Sequence, residues 1–178
     1  LAFALNEWDY NLLGSSAIDD DSQLLMIRNP RERVQKLAPF LSFDGDPYPV
    51  AFGDRVVWVI DGYTTSSRYP YGQNADLSQL AGGSGLNKAL NYVRNSVKAV
   101  VDAYDGSVTL YVNDPNDPVL QVWQSAFPDL FSDQPVPADL AEHLRYPEEL
   151  FRLQTAAYSK YRLEGEQFFD REGAWSVA

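Results

Sequence analysis

From residue 56 to 71 the chain runs Val-Val-Trp-Val-Ile-Asp-Gly-Tyr-Thr-Thr-Ser-Ser-Arg-Tyr-Pro-Tyr. A β-branched apolar run passes without a spacer into hydroxyls, aromatic rings and one guanidinium. That is the pattern of a strand ending in a hydrogen-bonding surface loop. Tyr63, Arg68, Tyr69 and Tyr71 crowd this stretch. Tyrosine and arginine bring contact area and a polar tip together, and sugar rings stack on such faces, so the four residues are the candidate binding surface. The plainer role for the tyrosines is to pin the loop to the sheet.

Carboxylates are the other chemical resource. Asp61, Asp102, Asp114 and Asp117 fall at expected strand or hairpin ends. Two of them within ~5–10 Å of each other in one cleft would make a carboxylate-dependent hydrolase acting on envelope polysaccharide. Local hydrogen bonding at the wet edge of a sheet is the simpler role. Asp19-Asp20-Asp21 and Asn113-Asp114-Pro115-Asn116-Asp117 are the richest sources of oxygen ligands. In the second, Asp114 and Asp117 are the candidate ligands for Ca2+. Neither stretch has the central Gly and terminal Glu of an EF-hand, and the second also reads as an Asx-Pro turn. No other cofactor is expected.

Several chemistries lack their parts. His143 is the single histidine and sits just before an expected helix, a position that suits capping or packing better than service as a base. Gly82-Gly83-Ser84-Gly85 lacks the spacing of a nucleophile elbow, and Lys88 follows Asn87 and not a glycine, so no phosphate loop is formed. Cysteine is absent, which removes disulfides, thiolate nucleophiles and sulfur-ligated metals. Arg28, Arg31, Arg33 and Lys36 form the one basic cluster, suited to an anionic lipid headgroup or to nearby carboxylates. The net charge of −11, from 25 acidic against 14 basic residues, argues against nucleic acid as a partner, since its phosphates would be repelled across most of the surface.

The elements that must position these groups can be read from periodicity. The 178 residues suit a single domain spanning 1–178, with the look of a piece excised from a much longer protein. No apolar run approaches the ~20 residues that span a bilayer, and no signal peptide is seen. Residues 1–13 read as a helix closed by Gly14-Ser15-Ser16, and 24–27 as a short strand. Asn29, Pro30 and Glu32 mark a helix start, with Val34, Leu37, Ala38 and Leu41 at helical spacing. Two hairpins follow, at about 48–61 and 96–113, with turns at Gly53-Asp54 and Asp105-Gly106. A two-residue second turn pairs Ala103 with Val108, Val101 with Leu110 and Ala99 with Val112, one apolar face against a mixed one. About 73–88 is polar and Gly-rich, the composition of a flexible connector. Helices then run to the end. Val119, Val122, Trp123 and Ala126 lie along one. Leu150, Phe151, Gln154, Ala157, Tyr158 and Tyr161 line the longest, which stops at Gly165. The fold class expected is α+β, an antiparallel sheet with helices at both ends of the chain.

Ordered blocks along nearly the whole chain carry a resemblance. They are Leu1-Ala2-Phe3-Ala4-Leu5, Arg31-Glu32-Arg33-Val34-Gln35-Lys36-Leu37-Ala38-Pro39-Phe40-Leu41, Asp46-Pro47-Tyr48 and the 56–71 run. The Asn91-Tyr92-Val93-Arg94 stretch through Asp105-Gly106 follows, then Phe127-Pro128-Asp129-Leu130-Phe131 and the block from His143 to Arg152. In this order and spacing the chain resembles the uncharacterised protein family numbered zero-one-eight-two. It departs at 74–88, a variable connector, and at Phe168-Phe169-Asp170-Arg171, which replaces a more tyrosine-like version. The resemblance implies a large membrane protein of actinobacteria or cyanobacteria, with transmembrane helices near its N-terminus and a long extracytoplasmic region. It implies no reaction. The expectation is a non-enzymatic extracytoplasmic domain with a binding or assembly role at the cell envelope. Its partners would be the rest of the parent protein, another envelope protein or a glycan, and membrane contact would come only through segments outside these residues.

Overall fold

The computed structural model describes residues 2–16, 18, 19, 22, 26–78, 80, 83–86 and 88–170. Two long antiparallel strands, β3 (Arg55–Ser66) and β4 (Tyr92–Asp102), form the spine of a six-stranded sheet. Both are rich in valine, whose stiff branched side chain suits a pleated surface. β1 (Ser42–Phe43) and β2 (Tyr48–Phe52) share the outer edge of β3, and β5 (Val108–Val112) pairs with β4. β6 (Phe131–Ser132) adds to β5 in parallel, the one parallel pair in an otherwise antiparallel sheet. The helices are α1 (Ala2–Asn6), α2 (Asn11–Gly14), α3 (Pro30–Leu37), α4 (Pro118–Ala126), α5 (Ala138–Ala141), α6 (Glu148–Tyr161) and α7 (Gly165–Asp170). The fold is therefore α+β, with helices before and after the strands.

Both faces of the spine are covered, so β3 and β4 are buried on consecutive residues in their middles. On one face Ile60, Val97, Ala99, Val101 and Leu110 pack under Val34, Ala38 and Leu41 from the α3 region and Leu120 of α4. On the other, Val57, Val59 and Val100 pack with Tyr48, Val50 and Leu140 of α5. Further along that second face Tyr63 meets Leu86, Leu90, Leu150 and Leu153.

Several expectations need correction. The first hairpin has its two-residue turn, with Gly53 at φ +59°. The second pairs Val101 with Val108, Ala99 with Leu110 and Val97 with Val112, two residues out of the expected register. The cause is Asp102. Its Oδ1 accepts from the Tyr104 and Asp105 backbone N–H groups, and its backbone oxygen accepts from Gly106, so a four-residue loop wins over the tight turn. A slip of two preserves the faces, and only the register moves.

The single helix expected at 1–13 is replaced, among the described residues, by two short ones, α1 and α2. The strand expected at 24–27 falls largely outside the described residues, as do Asp20 and Asp21. Helix α3 is capped as expected, Asn29 Oδ1 accepting from Glu32 N at 3.1 Å. Along α4 the buried residue is Leu120, while Val122 is exposed. Along α6 the buried apolar residues among those described are Leu150 and Leu153, while Phe151, Tyr158 and Tyr161 are exposed, and Gly165 opens α7 where it was expected to stop α6. The segment read as a flexible connector contributes Leu86 to the core, beside Leu90 just past its end.

One buried carboxylate ties these layers together. Asp117 is fully buried and caps α4 by accepting from Val119 N at 3.0 Å. Its oxygens also accept from the hydroxyls of Thr64 on β3 and of Ser96 and Tyr92 on β4, the last at 2.6 Å. Ser96 is the extra residue of a bulge, since Gly62 pairs with Val97 and Tyr63 with Asn95. A bulge of this kind re-aims a side chain. Burial alone would raise the Asp117 carboxyl, but the bonds from Ser96, Thr64, Tyr92 and Val119 hold it below the usual range.

Asp117→Ala removes the cap and strands three hydroxyls, for an expected loss of about 3–5 kcal/mol. At about 2–4 °C per kcal/mol that lowers the melting temperature by roughly 10 °C. Because the folded carboxyl is depressed, its contribution is full above about pH 4, the unfolded value, and is lost as pH falls through the lower folded value. Thermal melts of wild type and Asp117→Asn across pH 2–7 should therefore converge at the acid end. Parallel curves would show that Asp117 is not the group responsible.

Candidate functional site

The loop after β3 is held from below by Asn91. Its Oδ1 accepts from Tyr69 N at 3.0 Å, and its Nδ2 donates to the Tyr69 and Gly72 carbonyl oxygens at 2.9 and 3.0 Å. The clamp lays the Tyr69 ring nearly parallel to that of Tyr92, with centroids 5.8 Å apart. The Tyr92 phenol is fixed by Asp117, and burial followed by that bond pushes it up to about 12. Across from this pair stands α6. A cleft of about 730 Å³ opens between them, floored by Tyr92 and Val93 and walled by Tyr69, Gln154 and Tyr161, with Asn74 and Asp76 at its rim. That is the size of a small-molecule site.

Of the four residues expected to bind, the structure brings only Tyr69 to this cleft. Tyr63 lies inside β3 and is fully buried, its phenol donating to Asp44, so it belongs to the core and not to the loop surface. Burial and the neighbouring carboxylates push that phenol far up. Arg68 lines a smaller recess with Thr65 and Lys88. Tyr71 is wholly exposed at φ +58° and lines neither recess. Tyr92, Gln154 and Tyr161 were not anticipated. Tyr161 was assigned to the packed face of α6, and Tyr92 carries no signal until Asp117 is seen to orient it.

The four candidate carboxylates each have a cation or hydrogen-bond donors as partners. Asp61 lies opposite Lys98 and Asp102 opposite Val57, four rungs apart on the same ladder, or ~14 Å. Asp102 is bridged to Arg55 at 2.6 Å, which draws its carboxyl down. Asp114 pairs with Arg94 at 3.2 Å, and Asp117 is closed in its four bonds. Among the described residues, no group of three or more His, Cys, Asp or Glu side chains stands where it could hold a metal ion. His143 is exposed and lines neither cleft nor recess. In the basic cluster, Arg33 donates to the Ile27 and Gly106 carbonyl oxygens at 3.0 and 2.7 Å, and Lys36 pairs with Glu32. Gly106, at φ +71°, lies so close beneath the Arg33 guanidinium that a Cβ would meet it at 2.7 Å.

Beside the cleft lies a seam of buried charge. Lys98 is buried and donates to Asp61 and to the Arg145 carbonyl oxygen, the latter at 3.0 Å. Burial pushes the Asp61 carboxyl up, and Lys98 only partly reverses this. Arg145 lays its guanidinium over the Tyr48 ring, 4.5 Å from the centroid. Deeper in, Glu149 Oε1 accepts from Gly45 N and Gly85 N at 3.3 and 3.2 Å, while its buried Oε2 has no hydrogen-bond partner among the described residues. Burial, and then the Asp44 charge, raise the Glu149 carboxyl. Gly85 has no room for a side chain, because its Cβ would fall 1.7 Å from the Phe43 oxygen.

An α+β sheet domain with an aromatic cleft between loop and helix is thus the class that fold and site define. Residues 1–178 match the profile of UPF0182, described as an uncharacterised protein family, and the chain belongs to that family. A UPF0182 protein of Salinispora arenicola is 45% identical over 188 residues, covering 99% of this chain and 19% of that protein. Those of Nocardia farcinica and Paenarthrobacter aurescens are 44% and 46% identical, covering 99% and 94% of this chain and 19% and 18% of theirs. The chain therefore spans about a fifth of these relatives' length. No solved structure matches it. Among the described residues no helix is long and apolar enough to cross a membrane.

The seam yields a stability test. A raised folded carboxyl favours the protonated fold, so Glu149 adds stability as pH falls through its folded value, fully by about pH 4.3. Glu149→Gln imitates the protonated group and keeps an acceptor for Gly45 and Gly85. At pH 7 it should melt at or above wild type, with the difference vanishing toward pH 4.5. A melting temperature several degrees lower at pH 7 would contradict this reading.

Proposed function

We propose that this chain is a non-catalytic binding domain of a larger cell-envelope membrane protein, and that the cleft between Tyr69, Tyr92 and Tyr161 takes a saccharide. The observation that carries the reading is the composition of the cleft. Three tyrosines offer faces for sugar rings, while Asn74, Asp76 and Gln154 offer donors and acceptors for hydroxyl groups. Asp76 is the single carboxylate among the lining residues, and most glycoside hydrolysis needs two. Binding without turnover is what such a site supports. The envelope placement, the extracytoplasmic side and attachment to a membrane-embedded parent rest on the family resemblance. A hydrolase of envelope polysaccharide, the other reading of the Asp residues, has no carboxylate pair here to favour it.

Titrating the 178-residue chain with neutral tetrasaccharides, cello- and chito-oligomers, and following backbone amide shifts tests this directly. Shifts should concentrate at Tyr69, Asn91, Tyr92, Gln154 and Tyr161, with no shortened sugar released. Tyr161→Ala and Tyr69→Ala, both at exposed rings, should each weaken binding about 3- to 10-fold without lowering the melting temperature. Shifts elsewhere, or release of product, would overturn the assignment.

A further inference from the structure

The tyrosine cleft does not end at α6. A second recess of about 540 Å³ shares Val93, Arg94, Leu150 and Gln154 with it, so the two are continuous across Arg94 and Gln154. The neighbour differs in chemistry. Lys98, Arg94 and Arg145 line it, against Asp114 as its one carboxylate. The chain as a whole carries −11, so three of its 14 cations gathered around one recess are a local reversal of sign.

Each cation is positioned by the fold. Lys98 lines the recess while its ammonium donates to Asp61 and to the Arg145 carbonyl oxygen, which fixes its position. Arg94 is shared between Asp114 at 3.2 Å and the Asn116 carbonyl oxygen at 3.3 Å. Arg145 has no carboxylate partner among the described residues and rests on the Tyr48 ring, which steadies the guanidinium and consumes none of its donors. With Asp61 and Asp114 each bonded to one cation, Arg145 is the member of the three that makes no ion pair among the described residues.

Resting on the saccharide reading of the cleft, we propose that the ligand is an anionic oligosaccharide. Its rings lie along Tyr69, Tyr92 and Tyr161. A carboxylate or phosphate on the neighbouring residue reaches the adjoining recess, where Arg145 takes it with support from Arg94 and Lys98. A planar fork with free donors suits either group.

The test is calorimetric titration of the 178-residue chain with three tetrasaccharides of equal length, one neutral, one bearing a uronate and one bearing a phosphate. Wild type should bind an anionic form about 10-fold more tightly than the neutral one. Arg145→Gln, at an exposed side chain, should erase that difference and leave neutral binding unchanged. Asp114→Asn keeps the acceptor used by Asn116 N at 3.1 Å while removing the one carboxylate, and should widen the difference. The uronate and phosphate arms report which anion is preferred, and a preference for either supports the proposal. Equal affinity for all three sugars overturns the anionic assignment and leaves the saccharide cleft standing. An anionic preference that survives Arg145→Gln overturns the role given to this recess. If no sugar binds, both readings fall together.

Discussion

The burial of Asp117 is the constraint on which the other parts depend. Taking a carboxylate out of water costs several kcal/mol, offset here by four donors that arrive from three separate elements. The four bonds exist only if β3, the bulge in β4 and the start of α4 are all in place. The same bonds set the angle of the Tyr92 ring, against which Tyr69 lies. The floor of the cleft is thus determined by a group that does not line it. The opposite wall is independently supported, because Leu150 and Leu153 of α6 pack on Leu86, Leu90 and Tyr63.

The charge seam on the other face works differently. Asp44, Asp61 and Glu149 are all buried with a single buried cation, Lys98, for company. Apolar side chains of similar volume would commonly make such a layer more stable. What the charges supply instead is position. Lys98 reaches the Arg145 carbonyl oxygen, and the Tyr48 hydroxyl accepts from the Arg145 backbone N–H at 3.2 Å. Glu149 holds the Gly45 and Gly85 backbones against the first turn of α6. The α5–α6 junction is therefore located by polar contacts, and the recess lined by Lys98 and Arg145 is a consequence of them.

How far the sequence discloses this depends on the range of each interaction. Asn29-Pro30 and Gly53-Asp54 act within a few residues, and each marks the element boundary it promises. The second hairpin misleads because Asp105-Gly106 looks decisive, while Asp102, three residues earlier, offers its backbone neighbours a better set of bonds. The face of α6 misleads because Phe151, Tyr158 and Tyr161 are apolar enough to suggest packing and yet face outward, whereas Leu153 is the residue that packs. Leu86 is hidden by the glycines just before it. The cleft gathers residues near positions 69, 75, 92 and 155, and nothing local relates those stretches. Asn91, whose side chain ties the first to the third, looks like any polar residue before a strand.

Charge places a limit on what such a cleft can receive. A surface with a net charge of −11 repels a polyanion over about a Debye length, roughly 8–10 Å at physiological salt. On the proposed reading, Arg145, which makes no ion pair among the described residues, holds a single anionic group at contact but does not draw in a chain of them. The proposed ligand would then be a short segment, or a polymer whose charges are spaced more widely than the recess. Salt would then act in two directions, screening the general repulsion that slows approach and, less strongly, the partly desolvated contact at Arg145. On that reading the two effects oppose each other, and binding of the proposed ligand would depend less steeply on ionic strength than binding to a purely basic patch.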